Sequence, residues 1–128
     1  MADRIELVTP TGQAWEPVIR LVLGGIAERL QLGFDELDDL QLAVERLLAE
    51  AGTDEGPVSL SFEVGDRSVR TRIGGLEERA VADALQGPQP PGELTLRRIL
   101  ETVVDSFGIE EAADGKLLVR LEKVTRSF

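Results

Sequence analysis

"FDELDDLQLAVERLLAEAG", residues 34–52, is the stretch that decides the fold, because its apolar spacing predicts a long amphipathic helix. Apolar side chains recur every three or four positions and predict one broad buried stripe. The residues of this stripe are Leu37, Leu40, Ala43, Val44, Leu47, Leu48 and Ala51. Asp35 is the predicted N-cap, and Gly52 is predicted to end the helix. Two charged residues one turn apart, Arg46 and Glu50, lie outside the stripe and are candidates for a functional site.

The segment before this helix predicts a strand followed by a second helix. Residues 4–10, "RIELVTP", favour a short strand that ends at Pro10. Residues 13–32 carry apolar side chains at helical spacing. We expect this helix to begin near residues 11–14, because a proline such as Pro17 is tolerated only in the first turn. Gly24 and Gly25 weaken a helix interior, so close packing against a neighbouring element would explain them.

The segment after it predicts a polar loop over residues 52–57 and then a strand hairpin. Residues 58–64, "VSLSFEV", alternate between apolar and polar side chains, which is typical of a strand with one solvated face. A tight turn at residues 65–66 leads into "RSVRTRI", residues 67–73. Its arginines are expected on the outer face beside Glu63, either as a contact for an acidic partner or as a solvated face balanced by acids. These arginines are Arg67, Arg70 and Arg72.

The last third of the chain predicts two helices and a hairpin. A short helix over residues 76–85 precedes a proline-rich loop, and "ELTLRRILETVVDSF", residues 93–107, predicts a further helix. The closing hairpin is expected to turn at residues 114–115. Because strands and helices occur in groups, we expect one domain over residues 1–128 with an α+β fold. Its architecture is a two-layer sandwich, with a mainly antiparallel mixed sheet and helices on one face.

The composition excludes several kinds of active site. The chain has no histidine, cysteine or tyrosine, so it cannot build a Ser–His–Asp triad, a Cys–His pair or a histidine-ligated metal site. Its paired acids are neighbours on single elements and do not converge as hard cations require, so we expect no metal site.

The net charge and hydropathy also narrow the range of partners. With 14 basic against 24 acidic residues, a net charge of −10 argues against nucleic-acid binding. No apolar run approaches the ~18 residues of a membrane span, and the first residues lack a signal-peptide pattern. We therefore expect a cytoplasmic protein with no membrane contact.

Two segments resemble the anti-sigma-factor serine kinases, which are members of the GHKL, or histidine-kinase-like, ATPase superfamily. They are "VIRLVLGGIAERLQLGFDELDDLQLAVERLL", residues 18–48, and "LRRILETVVDSFGIEEAADGKLLVRLEKV", residues 96–124. The resemblance implies the GHKL fold, ATP and Mg²⁺ as ligands, and a sigma factor or an anti-anti-sigma protein as partner. It also implies a possible homodimer.

The first nucleotide box of that family departs from its pattern here. The family helix reads roughly D-L-x-L-A-V-x-E-A-x-x-N, in which the Glu polarises the attacking group and the Asn coordinates Mg²⁺. Residues 38–44, "DDLQLAV", match its opening, and this alignment puts Arg46 at the Glu position and Glu50 at the Asn position. If Glu45 is taken as the acid instead, Ala49 replaces the Asn. The metal-binding Asn is missing in both alignments.

The other two boxes are also altered. The family's D-x-G-x-G box supplies an Asp for the adenine amino group, but here Gly74, Gly75 and Leu76 follow the strand. The G-x-G-L lid that wraps the phosphates has become "PGELTL", residues 91–96. A glycine-rich lid works because bare backbone N–H groups approach phosphate oxygens. The resemblance therefore predicts a GHKL scaffold without a cofactor, in which Arg46, Glu50, Gly74 and Gly75 mark the remains of a nucleotide pocket.

The resulting hypothesis is a non-catalytic regulatory module that binds a protein partner in transcriptional control. The family's first-helix arginine lies on the surface shared by the sigma factor and the anti-anti-sigma protein, and Arg20 is the matching residue, with Glu16 one turn earlier. An ordinary solvent-facing arginine is the simpler interpretation of Arg20.

Two alternatives stay open. One is an ATP-dependent serine/threonine protein kinase with atypical boxes, in which Glu45 is the base and Glu77 or Glu78 binds adenine. The other is a structural or dimerising domain without a signalling role.

Overall fold

The computed structural model describes residues 3–52 and 56–125, and part of the predicted loop over residues 52–57 therefore lies outside the described residues. Ten elements follow one another along these ranges. They are strand β1 (Asp3–Thr9), a 3₁₀ turn (Gln13–Trp15), helices α1 (Glu16–Leu30) and α2 (Phe34–Ala51), strands β2 (Val58–Val64) and β3 (Ser68–Gly74), helices α3 (Glu78–Gln86) and α4 (Leu96–Val103), and strands β4 (Ser106–Glu111) and β5 (Leu117–Val124).

The five strands form one sheet in the order β1-β2-β3-β5-β4, and every adjacent pair is antiparallel. β1 joins β2 only after the chain has passed through α1 and α2, with Asp3 opposite Val64. The inner face of β2 and β3 buries alternate residues, as their alternating patterns predict. The expected α+β sandwich with helices on one face is confirmed.

One hydrophobic core lies between the sheet and the helices. α2 is its centre, and five of its residues are buried: Leu40, Ala43, Val44, Leu47 and Ala51. Each is 0% exposed, so the apolar stripe predicted from the sequence is the face that meets the sheet. Phe62 of β2 and Leu100 of α4 are also 0% exposed and belong to the same core.

Several predicted boundaries are wrong, each for a local reason. The N-cap of α2 is Gly33 rather than Asp35, and the Glu36 carboxylate accepts a hydrogen bond from the Gly33 amide at 3.2 Å. α1 begins at Glu16, after the 3₁₀ turn, although Pro17 does lie in its first turn. Close packing does not explain Gly24 and Gly25, because a Cβ on either would meet nothing within 4 Å.

The predicted helix over residues 93–107 is too long at both ends. Thr95 caps its start, with its hydroxyl accepting a hydrogen bond from the Arg98 amide at 3.3 Å. The helix ends at Val103, and the Asp105 amide then bonds to the Glu122 carbonyl at 2.9 Å. Phe107, assigned to the helix from its spacing, lies in β4.

Candidate functional site

The central helix α2 carries its two candidate glutamates on different sides. Glu45 reaches the first helix, where its Oε1 lies 2.6 Å from Nε of Arg20. Glu50 stays on α2 and accepts a hydrogen bond from Nη2 of Arg46 at 2.8 Å. Arg46 lies two turns after Asp39, whose Oδ2 is 3.3 Å from Nζ of Lys123 in β5. The Arg46–Glu50 pair thus lies on a different flank of α2 from the Arg20–Glu45 contact.

The α3–α4 segment covers the core on one side of α2. Leu76, Val81, Leu85 and Leu96 are buried in the same core as α2. The amide of Glu77 donates to the carbonyl of Ala51 at 2.7 Å, which ties the start of α3 to the end of α2. Within this packed region, Nε of Arg46 is buried without a hydrogen-bond partner among the described residues, although the whole side chain is 42% exposed.

Arg98 organises the loop over residues 87–95 between α3 and α4. Its guanidinium donates to the carbonyls of Pro90 and Glu93, both at 2.5 Å, and to that of Gln89 at 3.2 Å. The Gln89 amide in turn donates to the carbonyls of Ala84 and Gly87 at 3.2 and 3.0 Å. Side chains of the loop and of α4 therefore hydrogen-bond several carbonyls of the segment between the two helices.

Gly74 and Gly75 differ in what their backbone requires. Gly75 has φ +80°, and a Cβ there would lie 2.6 Å from the carbonyl oxygen of Pro57. A Cβ on Gly74 would meet nothing within 4 Å. Both residues line a cavity of about 360 Å³ that opens on the outer face of the sheet and whose lining includes neither Arg46 nor Glu50. The structure therefore gives Gly75 a backbone role and does not place the glycines beside the α2 pair.

Glu77 and Glu78, the adenine-binding candidates of the kinase alternative, are both bound to backbone amides. Glu77 caps α3, accepting hydrogen bonds from Arg79 N at 3.3 Å and Ala80 N at 2.7 Å. Glu78 accepts a hydrogen bond from Leu117 N at 3.0 Å. Each carboxylate already stabilises a secondary-structure end.

The surface around Arg20 is formed by both long helices. Arg20 is 55% exposed at its side chain, whereas Glu45 is 23% exposed. The hydrogen bond that Arg20 donates to the Glu45 carboxylate raises the pKa of Arg20, and Glu16 and Asp38 act in the same direction through their charges. The two predicted partner-binding residues, Arg20 and Glu16, are thus close enough to interact.

Charges on the outer face of the sheet form a closed ring that the sequence did not predict. Three arginines and three glutamates from β2, β3, β4 and β5 alternate, so that every member has two partners of opposite charge. We call this set the charge ring. Its contacts are Arg70–Glu122 at 2.9 Å, Arg72–Glu110 at 2.8 Å, Arg120–Glu110 at 2.9 Å, Arg120–Glu122 at 3.6 Å, Arg70–Glu63 at 3.8 Å, and Arg72–Glu63.

The charge ring shows that the arginines of β3 are paired with carboxylates. Arg70 and Arg72 are saturated by carboxylates, and the hydrogen bond from Arg72 lowers the pKa of Glu110 below its ordinary value. Arg67 lies in the bend before β3 rather than on the outer face beside Glu63. The face is therefore internally balanced and presents no unpaired arginine on β3.

Comparison with known proteins identifies sequences that are similar to this chain. No protein-family model matches the chain. Over 78 residues the chain is 32% identical to the serine-protein kinase RsbW of Bacillus licheniformis, a match that covers 61% of this chain and 46% of the kinase. The chain is similar to a serine-protein kinase.

A second relative gives the same result. Over 69 residues the chain is 35% identical to the serine-protein kinase RsbW of Bacillus subtilis, covering 49% of this chain and 43% of the kinase. The matched part thus spans less than half the length of either kinase. In the described residues, no helix is both long and apolar enough to cross a membrane.

Proposed function

We propose that this chain is a non-catalytic regulatory module of the anti-sigma-factor type with a GHKL-like scaffold. It binds a sigma factor or an anti-anti-sigma protein through the α1–α2 surface around Arg20 and Glu16. The similarity to the two RsbW kinases supports the family relationship, and the resemblance of residues 18–48 supports the choice of surface.

The observation that carries the non-catalytic part is the Arg46–Glu50 pair. In the alignment with the family, these residues stand where a carboxylate and a metal-binding amide are needed, and at 2.8 Å they bind each other instead. A guanidinium cannot act as a general base or ligate Mg²⁺. The loop that replaces the lid is held by Arg98 through its carbonyls, so its hydrogen bonds do not depend on phosphates.

The test of this part is thermal unfolding of the chain with millimolar ATP or ADP, with and without Mg²⁺. A nucleotide at 100 times its dissociation constant stabilises a fold by about 2.7 kcal/mol, which raises the Tm by several degrees at this size. We expect no shift. A Mg²⁺-dependent rise would contradict a vestigial pocket.

The partner-binding part is tested with purified sigma factors and anti-anti-sigma proteins encoded by the same genome. We expect one of them to bind the chain in isothermal titration calorimetry, and Arg20→Ala to weaken that binding. Arg29→Ala is the matched control, because Arg29 is on the same helix, is 74% exposed and lies 3.5 Å from Asp3. Equal effects of the two variants would argue against a role for Arg20.

The kinase alternative keeps one observation in its favour, the similarity of the chain to two serine-protein kinases. It requires Glu45 as a base, and Glu45 is engaged by Arg20 at 2.6 Å. Transfer of labelled phosphate from ATP to a bound partner would establish this alternative.

A further inference from the structure

Arg20 is already occupied by a carboxylate of its own chain. Its Nε lies 2.6 Å from Oε1 of Glu45, which is 25 residues away on the neighbouring helix. The carboxylate is the less exposed partner, at 23% against 55% for the arginine. Such a short charge-assisted bond satisfies much of the guanidinium's demand for an anion.

The other arginine of α1 is paired less closely than Arg20. Arg29 meets Asp3 at 3.5 Å, with both side chains at least 70% exposed, so that contact is loose and well solvated. Glu16 and Asp38 add further negative charge near Arg20. A second carboxylate that approaches Arg20 therefore meets a cation that is already neutralised.

Exchange of one carboxylate for another leaves the number of charge-assisted hydrogen bonds unchanged. The gain on binding is then smaller than an unpaired arginine would give, because Glu45 must first be displaced and solvated. An internal carboxylate in this position acts as a competitor whose local concentration is fixed by the fold.

Resting on the proposed function, we propose that Glu45 masks Arg20 in the unbound chain. A partner that uses Arg20 does so through a carboxylate that displaces Glu45. The Arg20–Glu45 pair is thus an autoinhibitory contact that lowers the resting affinity, and removal of the Glu45 charge unmasks the site.

The experiment compares Glu45→Gln with the unmodified chain by calorimetry, using the same panel of purified sigma factors and anti-anti-sigma proteins. Glutamine keeps the size of the side chain and removes its charge. Since exposed ion pairs change equilibrium constants by small factors, we expect about two- to fivefold tighter binding. Glu101→Gln is the matched control, because Glu101 also pairs with an arginine, Arg97 at 2.9 Å, but on α4.

Three outcomes decide the proposal. Tighter binding by Glu45→Gln alone, with the gain lost in the double variant Arg20→Ala/Glu45→Gln, supports it. Binding that Glu45→Gln leaves at the level of Glu101→Gln overturns the mask while the proposed function stands. If no protein of the panel binds any variant, the proposed function fails and the mask fails with it.

Discussion

The charge ring on the sheet and the two ion pairs on α2 are built from the same residue types, yet they are connected differently. In the charge ring every arginine and glutamate has two partners, and four strands contribute. On α2, Glu45 and Glu50 are each described with one arginine, Arg20 and Arg46. In a closed network the removal of one side chain weakens two ion pairs at once, so the network contributes more to stability than its single pairs. An isolated pair can exchange its partner at a smaller cost. The difference separates a surface that stabilises the fold from the one that we propose as a binding surface.

The largest expected effect comes from the end of β3, where the sheet that carries the charge ring turns toward the helices. We expect Gly75→Ala to lower the free energy of unfolding by about 2–4 kcal/mol, because a left-handed φ and a contact with the Pro57 carbonyl both oppose a Cβ. Urea unfolding measures this change. Gly74→Ala is the control and should be neutral or stabilising by up to about 1 kcal/mol. Equal effects at the two positions would show that the approach to Pro57 does not matter.

Removal of one arginine from each region tests whether the charge ring contributes more to stability than a single ion pair. Arg72→Gln leaves Glu63 and Glu110 without their shared cation, and these three side chains are 27–33% exposed. We expect a loss of about 1–2 kcal/mol in the free energy of unfolding. Arg46→Gln, which breaks one exposed pair within a helix, should cost only about 0.3–0.5 kcal/mol. Similar losses for both variants would mean that closure of the ring adds nothing.

The smallest expected effect is a dependence of the free energy of unfolding on pH, which Glu110 of the charge ring causes. Arg72 lowers the pKa of Glu110 in the folded state, so this carboxylate stabilises the fold above its ordinary pKa of 4.5. The contribution is lost as the pH falls through the lower, folded-state pKa. We therefore expect the stability difference between the unmodified chain and Arg72→Gln to shrink between about pH 7 and about pH 3. A difference that stays constant over that range would show that Glu110 is not held by Arg72.

The sequence predicted most of the elements, because their patterns depend on neighbouring residues alone. The alternation in β2 and the stripe of α2 specified both their type and their buried face. The predicted end of α4 was wrong because two neighbouring buried valines, Val103 and Val104, are compatible with a helix or with an extended chain. Only the pairing of residue 106 with Glu122 of β5 decides where the helix stops, and that contact is distant in sequence.

The site was predictable only where its partners lie within one helix. Spacing alone gave the Arg46–Glu50 pair, since residues four apart meet on a helix. The bond between Arg20 and Glu45 needs the packing of α1 on α2, and the charge ring needs the strand order β3-β5-β4. The arginines of β3 and the nearby Glu63 were visible in the sequence, but the other two balancing acids, Glu122 and Glu110, lie 52 and 38 residues away from Arg70 and Arg72.

The pairing of β1 with β2 has a consequence for how the chain folds as it is synthesised. β1 leaves the ribosome before its neighbour β2, which begins at Val58, after both long helices. At roughly 5–20 residues per second, β1 waits on the order of 3–10 s for the strand that it pairs with in the described sheet. During that interval its backbone has no strand to pair with, so β1 is open to misassociation until β2 has been made.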